Sequence, residues 1–325
     1  MTYAQIKPQL RCQLEPTDTG LTVTRHGSSY DISGLPISPT LVSKIFTQFN
    51  GERAVSEVIE EHGSVSIDQV GMIIDSFHES GFLIKNVAAD STTGLGCLLE
   101  LEDLQNKLMY ETLYENVFWT NCQNPEGVPQ NVFYGMAIEN YHFLFRESWF
   151  DAPILGLPGS IDARVLMNEF FCEEYGHDEL ILKSLNELGI TREEIYRTVP
   201  LPETLALCNA LAHWAATDPL FFFSTMGVLE GKDLKIDSYV SAMEGSEKID
   251  DKFIKYIRDH SNINLNDGHG NLSREIFKKF PIVSLDEVAR LKSKTHLFIE
   301  IYDRFYSAIW NHYSNSSTLL RLIEH

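Results

Sequence analysis

The chain has 325 residues, 43% of them hydrophobic and 11% aromatic, the composition of a globular protein with material for one large domain or two modest ones. Its 26 Lys and Arg stand against 46 Asp and Glu, a net charge of -20, which argues against nucleic acid and anionic membrane surfaces as partners. No apolar run approaches the roughly 18 residues of a bilayer span, the opening MTYAQIKPQLRCQLEP holds no signal-peptide core, and the five scattered cysteines form no CxxC pair, so reduced thiols in a cytoplasmic protein are expected.

Residues 1–88 read as a small domain of strands and short helices. LTVTRHGSSYDIS alternates about a His26-Gly27-Ser28-Ser29 turn and predicts a hairpin. SPTLVSKIFTQFNG predicts a helix opened by Ser38 ahead of Pro39 and closed by Asn50-Gly51. Two more helices are expected, in AVSEVIEEHG up to Gly63 and in SIDQVGMIIDSFHESG between Ser66 and Gly81, then a short strand in FLIKN. A hairpin around three small helices is a winged-helix plan. With IFTQFNGERAVSEVIEEHG and VGMIIDSFHESGFLI it resembles the PqqD-like winged helices. That resemblance implies a module that captures a peptide by strand addition. The third helix carries acids and no Lys or Arg, which disfavours reading a DNA groove.

Residues 89–96, AADSTTGL, read as a linker, and 97–325 as a helical bundle. Helices are expected near 97–117, 129–150, 161–188, 203–216, 218–231 and 284–313, with short elements and a loop over 236–283. Neither GxGxxG nor GxxxxGK[ST] occurs, so a dinucleotide or P-loop site has no support.

Carboxylates and imidazoles recur on these predicted helices. In EFFCEEYGHDEL, Glu174 and Glu173 precede His177 by three and four residues, one turn away, where a carboxylate and an imidazole can share an ion. Glu230 closes the apolar run LFFFSTMGVLE, where an ionised carboxylate needs a partner or a metal. His296 and Glu300 are one turn apart, with Asp303 beyond, on a helix that is apolar on most sides and capped by Ser284 and Glu287. Glu139 and His142 form a further ExxH and fit a ligand, pocket or core role. Oxygen and imidazole donors suit iron or manganese more than zinc.

EEYGHDELILKSLNELGI, FFFSTMGVLEG and HLFIE together resemble the haem-oxygenase-like di-iron oxidases, whose bundle is shared by the TenA, PqqC and CADD proteins. The likeness spans residues 100–325. It implies a mainly α fold, a haem-oxygenase-like bundle behind a small winged-helix domain, with Glu174, His177, Glu230, His296 and Glu300 as metal ligands. Glu139, His142, Glu173 and Asp303 are further candidates. It also implies two Fe(II) ions, dioxygen as co-substrate, and oxidation of a small amino-acid-like, fatty or peptide-borne substrate in natural-product-type metabolism. Tyr141, Trp149, Phe171, Phe221 and Phe222 are the expected pocket walls, and a homodimer is expected by analogy. Two other readings stay open: a metal-free TenA- or PqqC-like enzyme using Cys172 or Cys208, and a non-enzymatic peptide-binding or regulatory protein.

Overall fold

The computed structural model describes residues 3–63, 65–88, 90–156, 160–229, 238–267 and 272–322. The chain divides into two compact units, Met1–Asp103 with Phe277–Lys292, and Leu104–Ile276 with Ser293–His325.

The first unit holds strands β1 (Lys7–Leu10), β2 (Gln13–Pro16), β3 (Gly20–Arg25) and β4 (Ser28–Ser33). Helices α1 (Pro39–Phe46), α2 (Val55–Glu60) and α3 (Ile67–Glu79) come next, then strands β5 (Leu83–Ala88) and β6 (Ser91–Thr92). Strand β7 (Val283–Ser284) arrives from far along the chain. All strand pairs are antiparallel, in the orders β2-β3-β4 and β1-β5-β6-β7. The expected hairpin is β3–β4. His26 and Gly27 both take left-handed backbone at φ 49° and 84°, the geometry a two-residue turn between twisted strands requires. His26 Nε2 sits 2.9 Å from Asp103 Oδ1.

Ser38 and Ser66 cap α1 and α3 by accepting from Leu41 N and Asp68 N. Leu21, Val23, Ile45, Phe46, Ile74, Phe77 and Leu83 form the core beneath them. The stretch 89–96 is not a free linker. Ser91 and Thr92 pair with both β5 and β7, and Thr92 is fully buried.

Among the described residues, the rest of the chain is mainly helical: α4 (Gly94–Leu108), α5 (Val117–Cys122), α6 (Gln130–Leu144), α7 (Glu147–Ile154), α8 (Ile161–Glu174) and α9 (Asp178–Glu187). Then come α10 (Arg192–Tyr196), α11 (Pro202–Thr217), α12 (Pro219–Leu229), α13 (Ser238–Glu244), α14 (Asp251–Asp267), α15 (Leu272–Lys278) and α16 (Leu285–Tyr313). Within the second unit, α9 packs on both α6 and α14, and α11 packs on α7, α12 and α6. No helix among the described residues is long and apolar enough to cross a membrane.

Further sequence expectations change in the helical part. The single helix over 161–188 is two helices, because Gly176 at φ 98° breaks the chain between α8 and α9. The stretch 236–283 contains the 17-residue α14, whose Phe253, Ile254 and Ile257 are buried and whose backbone at Phe253 accepts from Ser184 Oγ of α9.

Candidate functional site

The break at Gly176 sets the centre of the site. Glu174 ends α8 and His177 opens α9, so their side chains meet across a turn rather than along one helix. Both are buried, with Glu174 Oε2 2.9 Å from His177 Nδ1. A third group joins them from α14: the His260 ring lies 5.2 Å from the His177 ring, edge to face. His260 Nε2 is buried and has no hydrogen-bond partner among the described residues. Burial, and then the neighbouring His177, pull the His260 imidazole down to about 4, so it is neutral at pH 7 with a lone pair to give.

Beside this trio lies a cavity of about 80 Å³. Its wall is Met136, Asn140, Phe143 and Leu144 from α6, Glu174, Leu207 from α11, Leu229 from α12, His260, and Tyr302, Phe305 and Tyr306 from α16. The four α6 positions are one helix face at steps of three and four. Tyr306 donates to the Tyr302 hydroxyl at 2.8 Å.

The other predicted site residues go elsewhere. Glu230, expected as a metal ligand, lies outside the described residues, directly after the cavity residue Leu229. His296 and Glu300, expected as metal ligands, would have to turn inward, but both are exposed, and Glu300 pairs with Arg304 at 2.5 Å. The buried stripe of α16 is Leu291, Thr295, Phe298, Phe305, Ile309 and Tyr313, which leaves His296 and Glu300 on the other side. Asp303 accepts from Asn116 Nδ2 at 2.7 Å. Glu173 is exposed.

Glu139 and His142 are buried but serve the core. Glu139 accepts from Leu201 N at 3.0 Å, Thr204 Oγ1 at 2.5 Å and Tyr313 Oη at 2.9 Å. Burial raises its carboxyl above the ordinary value, and the three donors oppose that rise. His142 sits 2.9 Å from Thr198 Oγ1, and burial with Arg146 and Arg321 nearby holds it down at about 3.

None of the five expected wall aromatics lines the cavity. Tyr141, Phe221 and Phe222 are core, Trp149 is exposed, and Phe171 packs on Tyr175. Sequence reading missed His260, although Phe253, Ile254, Ile257 and His260 repeat at i, i+1, i+4 and i+7. It also missed Asn140.

Glu174, His177 and His260 supply one carboxylate and two imidazoles, a donor set that suits iron or manganese. The orphaned nitrogen of His260 fits a ligand that the trio would share. Among the described residues, no three His, Cys, Asp or Glu already stand in ligand geometry around one point. Cys208, by contrast, is no activated nucleophile: burial pushes its thiol up to about 12.

Residues 139–286 match the family model described as iron-containing redox enzyme. Two solved structures share the fold. One is a domain of unknown function with a haem-oxygenase-like fold from Shewanella denitrificans, 18% identical, TM-score 0.54, covering 67% of this chain and 94% of that one. The other is the TenA homologue from P. horikoshii, 16% identical, TM-score 0.50, covering 66% of this chain and 98% of that one. No curated protein matches the chain.

Proposed function

We infer that this chain, which carries a haem-oxygenase-like domain matching the iron-containing redox enzymes, is an iron-dependent oxidoreductase that uses dioxygen on a small molecule held in the α6–α16 cavity. The observation that carries the reading is the meeting of Glu174, His177 and the orphaned His260 nitrogen at the wall of that cavity.

In this account Glu174, His177 and His260 hold the iron, and Glu230 is the further carboxylate expected to join them. The two ions expected from the resemblance need all five residues, His296 and Glu300 among them. With both exposed, the reading keeps one. Bound iron would supply the one-electron chemistry that lets dioxygen react with a closed-shell organic molecule.

The protein's own residues do the rest. Glu174 orients the His177 imidazole through the 2.9 Å contact, as an outer carboxylate or as a ligand itself. His260 stays neutral at pH 7, so its nitrogen remains available. The apolar wall of Met136, Leu144, Leu207 and Leu229 limits water around the reacting molecule. The Tyr302–Tyr306 hydroxyl pair adds a hydrogen-bonding edge facing the same space.

The PqqD-like pattern of the first unit supports a further part of the proposal: this unit presents a peptide or carrier to which the substrate is attached. In support, β4 is an edge strand with most of its residues exposed.

An oxygen-electrode trace of the ferrous-loaded chain tests the reading. Dioxygen uptake above that of free ferrous ion is expected, and it should vanish in Glu174→Gln. Uptake equal to free ferrous ion, or unchanged in the variant, would overturn it.

A further inference from the structure

Asn140 is a polar side chain at the wall of the cavity. On α6 it falls one turn after Met136 and one turn before Phe143 and Leu144, and all four are cavity residues. Its neighbour Glu139 is held by Leu201, Thr204 and Tyr313, and His142 by Thr198, away from that wall. Among the described residues the Asn140 amide has no hydrogen-bond partner. A carboxamide offers two donors and one acceptor. When a ligand displaces water from it, those groups must be met again or the ligand binds weakly.

The remaining wall narrows the occupant. Most of it is apolar or aromatic, and its one charged group among the described residues is the Glu174 carboxylate. Among the described residues no Lys or Arg lines the cavity, so an anion entering it would give up hydration and meet no protein cation. A volume of about 80 Å³ is several times the roughly 10–15 Å³ that a cavity needs to hold one water, so it takes a small molecule.

We propose that the cavity selects a small, neutral, largely apolar molecule whose polar head carries a donor and an acceptor side by side, as in an amide, lactam or carbamate, and that Asn140 reads this head. The two carboxamides would pair reciprocally, each donating one N–H and accepting one. The inference deepens the oxidoreductase reading and rests on it only for the statement that the bound molecule is a substrate.

Benzamide, benzoate and benzylammonium share one shape and differ in the head. Their affinities for the full chain after chelator treatment, measured by ligand-observed NMR, test the proposal. Benzamide is expected to bind, and benzoate, which meets no protein cation there, to bind roughly tenfold or more weakly. Asn140→Leu should weaken benzamide by about the same factor. Asn140→Asp, close to isosteric, should make benzylammonium the preferred ligand of the three. Should Asn140→Leu fail to fold, Asn140→Asp decides alone. Benzoate binding as tightly as benzamide, no binding of any probe, or an order of preference that Asn140→Asp leaves unchanged overturns the proposal. The metal is removed throughout, so a chain that takes up no iron loses the oxidoreductase reading without touching this comparison. A chain that takes up iron and fails the comparison loses only the assignment of Asn140.

Discussion

Tyr313→Phe removes one hydroxyl and no carbon, so it isolates the hydrogen bond from Tyr313 Oη to Glu139 Oε1, 2.9 Å long between two buried side chains. Burial raises the Glu139 carboxyl, and the Tyr313 donor is one of the groups that pull it back down. A carboxyl with a native value above its unfolded one stabilises the fold at low pH, and that contribution is lost as pH rises through the native value. Losing the donor raises the native value further. The variant's deficit must therefore be larger on the alkaline side of the Glu139 titration, where the carboxylate is an anion, than at pH 4, where the raised carboxyl is protonated in the fold. A hydrogen bond to a charged group is worth about 1.5–3 kcal/mol and a neutral one about 0.5–1.5. The deficit should thus grow by roughly 1 kcal/mol between the two conditions. All four tryptophans, Trp119, Trp149, Trp214 and Trp310, lie in the helical unit, so urea unfolding followed by tryptophan fluorescence reads that unit alone. An equal deficit at both pH values, or a larger one at pH 4, would refute the reasoning.

Three other substitutions follow from the geometry. At Gly135 an added Cβ would lie 2.2 Å from Tyr313 Cγ, a ring held in place by its bond to Glu139, so Gly135→Ala should cost about 1–3 kcal/mol in the same unfolding assay. Gly176→Ala meets no neighbour within 4 Å but must hold φ 98°. It should cost roughly 1–2 kcal/mol of stability, and it should weaken ferrous binding by disturbing the Glu174–His177 contact, read by anaerobic titration. His296→Ala and Glu300→Ala, on the exposed side of α16, should leave stability within about 0.5 kcal/mol and iron content unchanged, as denaturation and metal analysis would show.

Periodicity and punctuation carried most of the secondary structure. Ser38 before Pro39, the His26-Gly27 turn and the apolar run of α12 act locally, and local rules describe them. The fold class was also legible, since long amphipathic stretches joined by short turns pack as a bundle. The site was half legible. Glu174 and His177 are three residues apart, and that spacing brings them together even though Gly176 breaks the helix there. His296 and Glu300 share the same close spacing and end up exposed. On α16 apolar residues fall on most sides, so Leu297 beside His296 imitates a buried face while it is 49% exposed. Which side of such a helix turns inward is decided by what packs on it, here through Thr295, Phe298 and Tyr313. His260 was hidden for the opposite reason. The polar run NINLNDGHG that follows it reads as a loop, yet α14 runs into that stretch and packs on α9.

The central claim is that Glu174, His177 and His260 bind iron together, and its most direct test is elemental analysis of the full chain after anaerobic ferrous loading and desalting. The account predicts about one iron per chain, lost in His177→Ala and in His260→Ala and retained in His296→Ala. Iron that persists in both of the first two variants, or that disappears only with His296, would contradict it.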